Sequence, residues 1–256
     1  MRVVRLAQLL LTAVLCAAGA EEIRIAAVGG TLDSCTIPRR APTLAEFKAS
    51  YKGKAPFVFP TSGSPAARAA LARSSLLASL GHLPVTLASS NSNSYAKRAS
   101  TLAAYLEGHL APVTLSDQAD KLWYLFGDTL QTEEWAPLHA TFEHRFDSEA
   151  DEGLFAWGVG GRHSGVPFHR HGAVYAESIL GRKRWWLSPP EAQPVFEGNE
   201  TQFSYASRHA EAGEQGRVLA CTLAAGEALY IPSQWWHATL NLDDYNAFVS
   251  SFVREL

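Results

Sequence analysis

Val166-Pro167-Phe168-His169-Arg170-His171-Gly172 and Leu229-Tyr230-Ile231-Pro232-Ser233-Gln234-Trp235-Trp236-His237-Ala238-Thr239-Leu240 are the two stretches on which the fold of this chain turns. In a β-strand, residues i and i+2 project from the same face, so His169 and His171 can grip one ion from a single strand. A third ligand then has to come from another strand. His237 qualifies, because Gly226 through Pro232 reads as a turn, a short apolar strand and a second turn before Trp235-Trp236-His237 opens a new strand. Three imidazoles with coordination positions left open suit a catalytic or ligand-binding metal, whereas structural sites are closed. The competing reading is that the three rings are unrelated surface or core histidines.

Between the two stretches runs Ala-Val-Tyr-Ala-Glu-Ser-Ile-Leu-Gly-Arg-Lys-Arg-Trp-Trp-Leu-Ser-Pro-Pro-Glu, residues 173–191. It reads as two antiparallel strands joined by a tight turn at Gly181-Arg182. Lys183 opens the second strand. A single cation projecting into a mostly apolar barrel is a way to hold a dicarboxylate; the alternative is a solvated basic turn, Arg182-Lys183-Arg184.

Taken together, from Phe155 to the end of the chain, these segments resemble the JmjC family of iron(II)- and 2-oxoglutarate-dependent oxygenases, a branch of the cupin-like jelly rolls. The resemblance rests on several motifs in order: His-x-His in the place of a His-x-acid pair, the Gly-Arg-Lys-Arg turn with Leu-Ser-Pro-Pro after it, then Gly-Glu-Ala-Leu-Tyr-Ile-Pro and Trp-Trp-His. It implies a mostly β fold with flanking helices, a double-stranded β-helix. Carried over by position, His169 and His237 become metal ligands with His171 between them. Lys183 takes the distal carboxylate of 2-oxoglutarate, and Ser251 lines the cofactor pocket. The implied function is a protein hydroxylase-like oxygenase; the alternative is a catalytically inactive interaction or regulatory protein on the same scaffold.

This chain departs from the family pattern at two positions. His171 stands where catalytic members carry the Asp or Glu of the two-histidine, one-carboxylate triad, so the metal centre would carry one more unit of positive charge. Neutral imidazole still suits iron, zinc, copper or nickel. Val166 stands where many relatives have a cofactor-binding hydroxyl, and Ser164 nearby is on a different register.

The 256 residues suffice for one sizeable core. With 47% hydrophobic and 18% charged residues the composition is that of a folded chain, and a net charge of -3 gives no basic footprint for nucleic acid. Residues 1–20 have the layout of a cleavable secretory signal: Arg2 and Arg5, an apolar stretch too short to span a bilayer comfortably, then Ala18-Gly19-Ala20. The expected organisation is a signal at 1–20, a helix and strand flank at 21–145 and the jelly roll at 146–256. No span is expected in the mature chain.

Once Cys16 leaves with the signal, Cys35 and Cys221 remain. They either pair as a disulfide in an oxidising lumen or stay as buried thiols. Asn199-Glu200-Thr201 is a candidate glycosylation sequon. With the resemblance, these features point to the endoplasmic reticulum lumen, with secretion as second choice, and to protein partners or a protein substrate there. The closing Glu255-Leu256 is a weak retention signal.

In the flank, Thr43-Leu44-Ala45-Glu46 is a capping box, and residues 64–81 read as one amphipathic helix. Residues 84–87 and 122–126 read as strands and 101–110 as a helix. The polar run Ser89-Ser90-Asn91-Ser92-Asn93-Ser94-Tyr95-Ala96-Lys97-Arg98 reads as a surface connection, the alternative being a loop that borders the pocket. His139, His144, His163 and His209 have no partner at ligand spacing and read as surface or packing residues.

Overall fold

The computed structural model describes residues 34–61, 63–127, 132–142, 155–212 and 218–252. The signal-like segment 1–20, the 145/146 boundary, His144, the side chain of His209 and residues 253–256 lie outside the described residues.

Among the described residues there are twelve strands, β1 (Phe57–Pro60), β2 (Pro84–Ser89), β3 (Lys97–Thr101), β4 (Trp123–Phe126), β5 (Phe155–Gly160), β6 (Gly165–His169), β7 (Val174–Leu180), β8 (Lys183–Ser188), β9 (Leu219–Leu223), β10 (Glu227–Ile231), β11 (Trp236–Asn241) and β12 (Asn246–Phe252). They form two antiparallel sheets. The larger has the order β1-β10-β7-β12-β5-β4-β2-β3 and the smaller β6-β11-β8-β9. Successive strands from β5 onward tend to alternate between sheets, and the inner faces enclose a cavity, as in a jelly roll.

Each sheet is also covered on its outer face. The larger packs Leu125, Trp157, Val159 and Val249 against Leu71, Leu76 and Tyr105 of the flank, all buried. The smaller packs Trp186, Ala238 and Leu240 against Phe203 and Ala206 of the helix Gln202–Ala212. The flank does more than pack: β1 adds to β10 at one edge and β4, β2 and β3 extend the sheet beyond β5 at the other. Strand addition thus satisfies two edges that would otherwise expose unpaired backbone.

Three expectations need correction or refinement. The strands β7 and β8 do not form a hairpin. The tight turn at Gly181-Arg182 exists, but β7 pairs with β10 and β12 whereas β8 pairs with β11 and β9. The turn is a corner between sheets, and Asp243 holds it by accepting from the Arg182 backbone N–H at 2.7 Å and its guanidinium at 2.9 Å.

Residues 64–81 form two helices, Pro65–Ala70 and Arg73–Leu80, because Ala72 leaves the helical region at ψ 137 so that both Leu71 and Leu76 can be buried. The Thr43 capping box is present and starts a helical turn that continues as a π-helix through Tyr51. Cys35 and Cys221 are joined as a disulfide across 186 residues, which fastens the N-terminal segment to β9.

Two outcomes test this architecture. Gly181 has φ +74, and an added Cβ would lie 2.5 Å from Asn246 Oδ1 and 2.7 Å from the Tyr245 carbonyl. Gly181→Ala is expected to lower the urea midpoint by the equivalent of about 1–2 kcal/mol for the left-handed backbone, with further loss from the contacts. Replacing both Cys35 and Cys221 by Ser is expected to destabilise by up to about 5 kcal/mol, the chain-entropy limit for so long a loop; a change near zero in a reversible melt would show that the bridge constrains nothing.

Candidate metal centre

Residues on β11 alternate between two environments. Ala238 and Leu240 enter the core beneath the helix, and His237, Thr239 and Asn241 therefore face the cavity. β8 pairs with β11 so that Thr239 lies opposite Trp185 and Asn241 opposite Lys183. β6 pairs with β11 so that His169 lies directly opposite His237. His171 lies two residues past His169, beyond the end of β6 and not within it. The Gln234 backbone N–H, from a left-handed turn at φ 63, donates to the His171 carbonyl at 2.8 Å and fixes that position.

The result is one cluster in which a ligand nitrogen from each of His169, His171 and His237 lies within 4.8 Å of the others. The backbone sets the tautomers. His169 Nδ1 is 2.9 Å from the Pro167 carbonyl, His171 Nδ1 2.8 Å from the Gly172 carbonyl and His237 Nδ1 2.9 Å from the Trp235 carbonyl. A carbonyl oxygen only accepts, so each Nδ1 carries the hydrogen and each Nε2 keeps its lone pair.

His171 Nε2 and His237 Nε2 are then two acceptors 3.1 Å apart. Such a pair is stable only with a positive charge between them. Burial pushes His169 down to about 4 and holds His171 and, further, His237 below the ordinary histidine range, so the three rings are held as neutral donors. A divalent cation fits this donor set.

Lys183 sits along the same strand pair. It is buried, its Nζ donates to Asn241 Oδ1 at 3.2 Å, and it stands 3.6 Å from the centre of the Phe248 ring. Burial pushes its pKa down to about 7. Asn241 Nδ2 in turn donates to Ser164 Oγ at 2.9 Å, which donates to the Gly161 carbonyl at 2.7 Å. The histidine cluster and the lysine share a cavity of about 680 Å³ between the sheets.

Ser251 is not part of this lining. It shares a face with Ala247 and Val249, which pack into the outer core, and Ser250 faces the cavity in its place. The hydroxyl that Val166 lacks has a counterpart on the neighbouring strand: Thr239 faces the cavity opposite Val166, whose backbone N–H it accepts at 3.3 Å. Sequence reading missed Thr239, Asn241 and Ser250, although counting in twos from His237 along β11 finds the first two. Of the two readings of the polar run 89–98, the border of the pocket holds for its middle: Ser92, Asn93 and Ser94 line the cavity. Asn199 is exposed, next to the lining residue Gly198, and its Oδ1 accepts from the Asp120 backbone N–H at 2.8 Å. His139 and His163 are packing residues, against Phe142 and Phe203.

A two-sheet jelly roll with an inward-facing histidine cluster defines a cupin-type protein. Residues 84–255 match the family described as cupin-like domain. JmjC domain-containing protein 8 of Rattus norvegicus is 39% identical over 228 residues, which cover 86% of this chain and 83% of that protein. Its Homo sapiens counterpart is 39% identical over 225 residues, covering 86% and 84%. The chain belongs to the cupin-like JmjC family. The X-ray structure of Escherichia coli ycfD aligns with a TM-score of 0.49 at 17% identity; the alignment covers 84% of this chain and about half, 54%, of that one.

Lys183 gives a signed prediction. The unfolded chain protonates Lys183 below its ordinary value of 10.5 and the folded chain only below about 7. Between those values the unfolded state binds more protons, so stability rises with pH, and at pH 7 and below the burial cost is fully present. Lys183→Met is therefore expected to stabilise the ligand-free protein at pH 7 by about 1–4 kcal/mol, with the advantage shrinking as pH approaches 10.5. Urea melts of both proteins at pH 7 and pH 10 measure it, and a less stable variant at pH 7 would refute it.

Proposed function

We propose that this chain is a metal-dependent oxygenase of the secretory pathway, in which His169, His171 and His237 hold a divalent ion and Lys183 anchors 2-oxoglutarate. The observation that carries the reading is the convergence of three Nε2 lone pairs whose tautomers are each set by a backbone carbonyl. Iron(II), when bound with 2-oxoglutarate and dioxygen, supplies the oxidising chemistry. One oxygen atom ends in succinate as carbon dioxide leaves, and the other ends in the hydroxylated substrate.

The protein groups do the positioning. Lys183 presents an ammonium whose neighbours are an amide oxygen and an aromatic ring, so an incoming carboxylate gives it the counter-charge that burial denies it. Thr239, Asn241 and Ser250 offer neutral hydrogen-bonding groups around that carboxylate. Phe168, Trp185 and Phe248 keep water from the interior and strengthen each charge interaction within it.

The compartment is part of the same proposal. A disulfide between Cys35 and Cys221 is chemistry of an oxidising lumen, and the signal-like residues 1–20 and the exposed Asn199 agree with entry into the endoplasmic reticulum. The substrate is a protein side chain in that lumen.

Elemental analysis of the purified mature protein, paired with succinate release on adding iron(II) and 2-oxoglutarate, tests the reading. The expected result is one metal per chain, lost in His169→Ala, with succinate formed by the parent and abolished in Lys183→Met. No bound metal and no succinate would overturn the oxygenase and leave a binding protein on a JmjC scaffold.

A further inference from the structure

The mouth of the cavity holds chemistry that the metal cluster and Lys183 do not use. Arg170 lies between two of the cluster's histidines in sequence, is exposed, and lines the cavity. Its guanidinium carbon stands 4.8 Å from the centre of the Trp236 ring, the residue before His237. Stacking on an aromatic face fixes the guanidinium plane and leaves its N–H groups pointing outward in that plane, ready for a carboxylate. Among the described residues, Arg170 engages no carboxylate.

The rest of the lining has the same bias. Ser92 Oγ, Trp185 Nε1 and Trp236 Nε1 are buried donors without an acceptor among the described residues. No Asp or Glu lies among the described residues that line the cavity, although the chain has 25 acidic against 22 basic residues. A cavity that offers donors and positive charge calls for an occupant rich in acceptors and negative charge. Lys183 accounts for one anionic group in the interior. Arg170, at the mouth, is a separate anchor.

Apolar side chains also lie exposed just past the mouth. Among the described residues four large hydrophobic side chains are exposed, and two of them, Tyr95 at 77% and Val195 at 80%, are each one residue along the chain from the lining residues Ser94 and Phe196. The loops that carry them are tied together by the Ser92 backbone N–H donating to the Gly198 carbonyl at 3.0 Å. A small carboxylate inside the cavity would leave those side chains in water. A polypeptide with an acidic residue and apolar neighbours would cover them.

We propose that the cavity mouth is a docking site for an acidic polypeptide segment, with Arg170 as the specificity-determining residue that receives an Asp or Glu carboxylate. That this segment is the substrate rests on the oxygenase reading; the docking itself requires neither metal nor 2-oxoglutarate.

The test titrates the full mature chain, chelator-treated and then iron(II)-loaded, with three end-blocked peptides, Leu-Glu-Ala-Glu-Leu and its versions with Gln or Lys in place of both Glu. Binding is read by calorimetry, and free glutarate is the small-molecule arm. The Glu peptide is expected to bind in both metal states, more weakly at high salt, and about tenfold or more tighter than the Gln peptide, the equivalent of one charge-assisted contact. The Lys peptide should not bind. Arg170→Gln should remove the preference for Glu and Arg170→Lys should keep part of it, with unchanged thermal melts, whereas glutarate binding should depend on Lys183 and not on Arg170.

Equal binding of the Glu and Gln peptides, no binding of the Glu peptide, or an unchanged preference in Arg170→Gln would overturn the proposal. Glutarate binding that depends on Arg170 would also overturn it, in favour of a small carboxylate at the mouth. A protein without metal or succinate formation that still prefers the Glu peptide through Arg170 would fail only the oxygenase reading.

Discussion

The register between β6, β11 and β8 is the constraint on which the rest depends. It sets His169 opposite His237 and Lys183 opposite Asn241, so one strand, β11, links the histidine cluster to the buried lysine through Thr239. Because side chains alternate with period two, a slip of one residue would send Ala238 and Leu240 into the cavity and the imidazole into the apolar core beneath the helix. Burial of both faces makes that slip costly. The hydrophobic pattern of β11 therefore fixes the chemistry as much as the histidine itself does.

The cavity contains the opposite of what stability alone would choose. Lys183 sits in a wall of Phe248 and Trp185 with an amide oxygen as its hydrogen-bond acceptor, and His169 and His237 are neutral imidazoles whose lone pairs converge. Each of these arrangements costs free energy in the empty protein and is relieved by a ligand of complementary charge: an anion for the lysine, a cation for the imidazoles. The disulfide, the double-sided packing of both sheets and the strands added at the edges by the flank supply the stability that tolerates it.

Much of this was legible in the sequence because its determinants are local. His-x-His, the Trp-Trp-His strand and the Thr43 capping box each have a short-range signature, and the matching motifs came in order. Pairing partners were not legible. Gly181-Arg182 has the local chemistry of a hairpin turn, and a corner between two sheets asks for the same residues; only the burial of all six residues of β8 distinguishes them, since such a strand needs core on both faces. That Ser250 and not Ser251 lines the cavity was not legible for a related reason, because two adjacent serines look alike and the inward phase of β12 is set by Phe248 and Val249. The polar loop at 89–98 left a surface connection and a border of the pocket both open, because its place at the cavity comes from the contact of Ser92 with Gly198, more than a hundred residues away in sequence.

His171 changes the charge balance of the site and not its geometry. Its ring is oriented by the Gly172 carbonyl at Nδ1 and its backbone is held by the Gln234 N–H, much as a ligand would be held by second-layer hydrogen bonds. With three neutral donors, a bound dication keeps its full charge, and no carboxylate among the described lining residues offsets it. Lys183 and Arg170 add to the same sign. Were such a dication held, neutrality would have to come from the ligands themselves, and occupancy by metal and by anions would be mutually reinforcing: each anion that entered would lower the cost of holding the cation, and the cation would raise the affinity for the anion by the same factor. In a site of this kind the missing Asp or Glu is a shift of negative charge from the protein to its ligands.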